Sequence, residues 1–209
     1  MKFSKEFKEA ISHLPEKEKD KLLIRLLKKD PILAQRLEFE LIDDLSVDER
    51  RALLADDIET DVKRFSEYSG SIGYLTMDIR YLSGYITKHV KITKDKFGEV
   101  SLNILMLTEV LQHNNQRIQQ VSLSRARKLL VSIIARAFKI VVLTHKLDDD
   151  FLIELEKPLN QLGNLIGEND YLMRTAIQNG FDVNWLLSAK IPEDIVEIHK
   201  EIKQQGLLK

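Results

Sequence analysis

"SRARKLLVSIIARAFKIVVLTHK", residues 124–146, decides what the centre of this chain is made of. At ~100° per residue, the polar positions Arg125, Lys128, Ser132, Arg136, Lys139 and Lys146 collect within about 80° of arc. Leu129, Ile133, Ile134, Phe138, Ile140 and Val141 occupy the circumference outside it. A helix that is apolar nearly all round belongs in a core, and this one carries a single narrow cationic seam. Charged groups in that setting need partners, because an unpaired charge is costly in a low-dielectric interior. The acidic stretch that begins at Asp148, or the acidic block at 31–70, can supply them. The other reading makes Arg125, Lys128, Arg136 and Lys139 one wall of a cleft that binds an anion or a partner.

Helix signals continue in both directions from this segment. Toward the start, Ser4 is placed to cap a helix over about 5–13, and Pro15 opens one over about 15–29. Asp30 followed by Pro31 reads as N-cap and N1 of a helix to about Ile42. "SVDE", Ser46 to Glu49, matches a capping box and starts a polar helix to about Tyr68. A Tyr-rich helix follows over about 72–90, then one over about 99–113. Beyond the central segment come an acidic helix over about 149–163, kinked or split by Pro158, and a helix over about 169–179 that ends at Gly180. "DVNWLLS" makes a short turn, and a last helix covers about 193–204. No sustained period-2 alternation bounded by hairpin turns occurs anywhere. The expected fold is all-α: a single domain over 1–209 with eight to ten helices packed as antiparallel hairpins, and 1–68 as an N-terminal subdomain.

Composition narrows the chemistry. The chain has 209 residues, 44% of them hydrophobic and 31% charged, which fits a globular protein. There is no Cys, so disulfides, thiolate metal sites and cysteine nucleophiles are excluded. "MKFSKEFKEAI" lacks the apolar core of a signal peptide, and no stretch approaches the ~18 apolar residues of a membrane span. The expectation is a cytoplasmic protein with no membrane partner. Net charge is −1, against a generic polyanion binder, yet residues 71–146 hold 12 Lys/Arg against 4 Asp/Glu.

Two further faces carry site hypotheses. In the Tyr helix, Tyr74, Tyr81, Tyr85, Asp78, Lys88 and His89 share about 100° of arc, opposite Leu75, Ile79, Leu82 and Ile86. Tyr offers flat contact area with a polar handle, so this face either packs on neighbouring helices or receives a protein or a nucleic-acid base. In "PEKEKDKLLIRLLKKDP", residues 15–31, Lys17, Lys21, Arg25, Lys28 and Lys29 form a basic stripe, interleaved with acids and backed by a leucine arc. That is the pattern of an ordinary packed helix with a solvated outer face.

Phosphate-binding glycine loops, nucleophile elbows, H-E-x-x-H and calcium-loop patterns are all missing. "EFKE", Glu6 to Glu9, and "ELID", Glu40 to Asp43, are the one carboxylate arrangement of note. Their spacing resembles the paired magnesium-binding helices of all-helical nucleoside triphosphate pyrophosphatases, so Glu6, Glu9, Glu40 and Asp43 are a candidate magnesium set.

"KFSKEFKEAISHLPEKEKDKLLIRLLKKD", "HVKITKDKFGEVSLNILML" and "LGNLIGENDYLMRTAIQNGFDVNWLL" together resemble an all-helical bacterial family of about this length. The resemblance implies an all-α fold over the whole chain. Some relatives carry the label deoxyuridine triphosphate nucleotidohydrolase, and the family brings no catalytic residues with it. It directs attention to 168–187, where Asn169, Asp170, Arg174, Asn179, Asn184 and the single Trp185 gather. The expected function is a cytoplasmic, non-enzymatic helical binding module, needing no cofactor, that engages a protein, a second copy of itself or nucleic acid. Its seam and Tyr face would make the contact. The alternative is a magnesium-dependent nucleoside triphosphate pyrophosphohydrolase.

Overall fold

The structure is a computed structural model and describes residues 2–68 and 70–208. Among these residues there are eleven helices and no strand. They are α1 (Lys5–Ser12), α2 (Glu16–Leu27), α3 (Pro31–Leu41), α4 (Val47–Tyr68), α5 (Ile72–Thr93), α6 (Lys96–Gln120), α7 (Leu123–Thr144), α8 (Asp149–Gly167), α9 (Asp170–Gln178), α10 (Asn184–Leu187) and α11 (Ile195–Gln204). The all-α expectation is borne out.

The caps explain most boundaries. Ser4 accepts from the Phe7 N–H at 3.2 Å, and Asp30 from the Leu33 N–H at 3.0 Å, with Pro31 directly after it. At Ser46 the capping box closes both ways: the Glu49 N–H donates to Ser46 Oγ, and the Ser46 N–H to the Glu49 carboxylate at 2.8 Å. Asn169 accepts from the N–H groups of Tyr171 and Leu172, and Gly180 ends α9 at φ +67°. Two boundaries differ from the sequence expectation. α6 runs on past His113 because Asn114 and Asn115, poor helix formers alone, are fixed by distant partners: Asn114 donates to Ser66 Oγ at 2.8 Å and Asn115 to the Leu165 carbonyl at 2.8 Å. α8 passes unbroken through Pro158, since Leu155, Leu159, Leu162 and Ile166 are buried on both sides of it.

The chain divides into two compact units, Met1–Asp44 with Lys91–Thr93, and Leu45–Val90 with Lys94–Lys209. The boundary falls after Asp44 instead of after residue 68, because α4 buries Ile58 and Val62 in the core of the second unit. In the first unit none of α1, α2 and α3 buries a side chain. The leucine arc expected to pack is therefore half exposed at Leu23 and Leu26.

In the second unit α6 is the axis, packed against α4, α7 and α8; α9 and α11 lie on α7, and α10 on α8. At the centre, fully buried Phe138 meets the rings of Phe181 at 5.4 Å and Trp185 at 5.5 Å, and stacks on His199 at 4.6 Å. Each such pair is worth about 0.5–1.5 kcal/mol beyond the area it buries.

A polar clamp ties α4 to the α5–α6 turn. Lys94 takes the left-handed conformation (φ 61°), and Asp95 then caps α6 by accepting from the Gly98 N–H at 2.7 Å. The same carboxylate accepts from Arg51 Nε at 2.7 Å, Arg51 Nη2 at 3.0 Å and His89 Nε2 at 3.2 Å. A Cβ at position 98 would lie 2.0 Å from Asp95 Oδ2, so only glycine lets the carboxylate approach this closely.

Candidate partner-binding face

The geometry of α5 follows from its two unlike arcs. Ile72, Leu75, Ile79, Leu82 and Ile86 are buried in the second unit's core, which fixes the rotation of the helix and turns the opposite arc outward. On that arc Tyr74 is 60% exposed, Met77 61%, Tyr81 67% and Tyr85 44%. The reading in which these tyrosines are buried by packing on neighbouring helices is corrected: the apolar arc of α5 is the one taken into the core, and the tyrosines stay exposed. Tyr81 and Tyr85 hold each other edge-to-face at 5.8 Å. Asp78 is half-buried and already engaged, while His89 turns inward to the Asp95 clamp and leaves the face.

The seam of α7 separates into three parts. Arg125 and Lys128 are exposed on its first turns with no ion-pair partner among the described residues. Lys139 is neutralised by Glu99 of α6 at 2.8 Å. Among the described residues, neither the acids that begin at Asp148 nor those of 31–70 form an ion pair with the seam, and Glu99 of α6 pairs with Lys139. Arg136 is the exception within it. Half-buried, it has its Nε wholly enclosed without a hydrogen-bond acceptor. Burial lowers its affinity for a proton, and so does the guanidinium of Arg80 nearby on α5.

Arg80 is the residue that sequence reading missed. Wheels of α5 and of α7 were each legible, but nothing in either spacing says that two cations from different helices converge. Arg80 continues the exposed arc of α5 beside Met77, and it too has no ion-pair partner among the described residues. An exposed aromatic row thus shares α5 with the exposed Arg80 guanidinium, and neither Arg80 nor Arg136 has an ion-pair partner among the described residues. Such an arrangement offers flat apolar contact and, at Arg80, an exposed guanidinium donor to a carboxylate.

The other candidates are placed separately. Glu6 and Glu9 lie on α1, where Glu9 is 3.8 Å from Lys5; Glu40 pairs with Arg36 at 2.8 Å on α3, and Asp43, beyond that helix, is already engaged. Among the described residues no three His, Asp or Glu side chains converge as a metal site, so these four are not brought together. Glu109 and His113 share a helix face at 3.6 Å. In 168–187, Asn169 and Asn179 serve the backbone, and Trp185 packs on Phe138.

Compared with protein-family models, curated proteins and solved structures, the chain matches none. No residue role is therefore inherited, and the functional reading rests on geometry. Among the described residues no helix is long and apolar enough to cross a membrane.

Proposed function

We propose that this protein is a helical binding module whose α5 face receives an acidic, amphipathic segment of a partner protein. The observation that carries the reading is the exposed row Tyr74, Met77, Tyr81 and Tyr85, continued on α5 by exposed Arg80, which has no ion-pair partner among the described residues. A partner carboxylate bound at exposed Arg80 would offset the repulsion between Arg80 and Arg136. The tyrosines add contact area at low entropic cost. A protein segment fits better than a nucleic-acid strand. The arc includes Asp78, the net charge of the whole chain is −1, and the strongest cations of α7 are divided between Glu99 and the far end of the helix.

Fluorescence anisotropy of a labelled Glu/Leu amphipathic peptide tests this, with a single-stranded oligonucleotide titrated in parallel. The expected result is saturable peptide binding that weakens roughly tenfold or more in Tyr81→Ala or Arg80→Ala, equivalent to about 1.4 kcal/mol. Tighter binding of the oligonucleotide, or peptide binding indifferent to both substitutions, would overturn the reading.

A further inference from the structure

A second site lies at the opposite end of α7 from Lys139. The first turns of α7, the outer face of α9 and the segment 206–208 enclose a cavity of about 550 Å³, within the range of small-ligand pockets. Arg127 enters it from α7 and Arg174 from α9, with Ser124 and Gln178 beside them; Leu130 and Leu207 supply apolar wall. No carboxylate side chain lines the cavity, and neither arginine has an ion-pair partner among the described residues.

The walls are held in place. Asn179, buried, donates to the Thr175 carbonyl at 2.8 Å and accepts from the Leu208 N–H at 2.8 Å, so one amide fixes both α9 and the segment 206–208. The N-terminus of α7 also opens here. Ser122 makes no side-chain cap, and the N–H groups of Leu123 and Ser124 have no acceptor among the described residues. Two guanidinium groups lining one cavity, a hydroxyl and first-turn N–H groups without an acceptor among the described residues suit an oxyanion, while the leucines suit an apolar body behind it.

We infer that this pocket binds a small organic oxyanion, a phosphate or carboxylate carried on an apolar group. The inference is independent of the α5 face. It is tested by amide NMR titration of the full chain with three probes: phenyl phosphate, octanoate and inorganic phosphate. The expected result is saturable shifts centred on Leu123, Ser124, Gln178 and Leu207 with phenyl phosphate or octanoate, the preferred one identifying the head group, and binding at least about fivefold weaker for inorganic phosphate. Arg127→Ala and Arg174→Ala, both at exposed positions, should each weaken binding roughly tenfold or more, with Arg80→Ala leaving it unchanged. Three results would overturn the assignment. They are no saturable shift by about 10 mM of either organic probe, inorganic phosphate binding as tightly as phenyl phosphate, and affinity unchanged in the two arginine variants with their fold intact.

Discussion

Arg136 and Asp95 show two opposite fates of a charge taken out of water. At Asp95 burial alone pushes the carboxyl pKa up. Hydrogen bonds from His89 and Arg51, the Gly98 N–H and the Arg51 charge outweigh it, holding the group down to about 2. Because its folded pKa lies below the ordinary 3.8, its contribution is fully present above that value and is lost as pH falls from there through about 2. Asp95→Asn should therefore lower stability by about 3 kcal/mol at neutral pH, with the gap from wild type closing across that acid window in urea melts. At Arg136 nothing compensates burial. Arg136→Met keeps an unbranched apolar stem, removes the enclosed Nε and ends the repulsion with Arg80. It should leave stability unchanged or raise it by about 1 kcal/mol in thermal denaturation. A clear loss of stability would mean that Arg136 serves the fold.

Element by element, local signals were legible where a residue acts on its own backbone and obscure where a distant partner decides. Ser4, Asp30, Ser46 and Asn169 mark helix starts with their own side chains, and the apolar arcs of α5 and α7 give their buried faces directly. The extension of α6 depends on Ser66 and Leu165, some fifty residues away, and no local pattern announces it. Pro158 in α8 is the converse case: a local breaker overruled by burial. Its missing N–H leaves the Glu154 carbonyl without its helical donor, on the exposed side of the helix. Pro158→Ala should restore that bond and stabilise the protein by about 1–3 kcal/mol, read from the denaturation midpoint. The site was half legible for the same reason. Tyr74, Tyr81 and Tyr85 share a face by spacing alone, whereas the effect of the Arg80 charge on Arg136 exists only once the chain is folded.

For the whole molecule, burial is distributed unequally. Every residue of the large hydrophobic cluster belongs to the second unit, while α1–α3 bury nothing and leave Phe3, Phe7, Leu41 and Ile42 at least half exposed. Short helices without a buried face open readily. Amide hydrogen exchange should therefore be faster in α1–α3 than in α6 and α7 by a factor of ~100 or more, whatever the state of the α5 face. The same contrast separates support from surface: the buried arcs of α5 and α7 belong to one hydrophobic cluster, and the proposed contact residues lie on the exposed side of α5.

The proposal that Arg80 reads acidic groups of a partner is tested most directly by exchanging charge across the proposed contact. Binding of a Glu/Leu peptide and of its Lys/Leu counterpart would be measured by anisotropy for the wild type and for Arg80→Glu. The wild type should prefer the Glu peptide by about tenfold or more, and Arg80→Glu should reverse the preference. Equal binding of both peptides to both proteins would contradict the account.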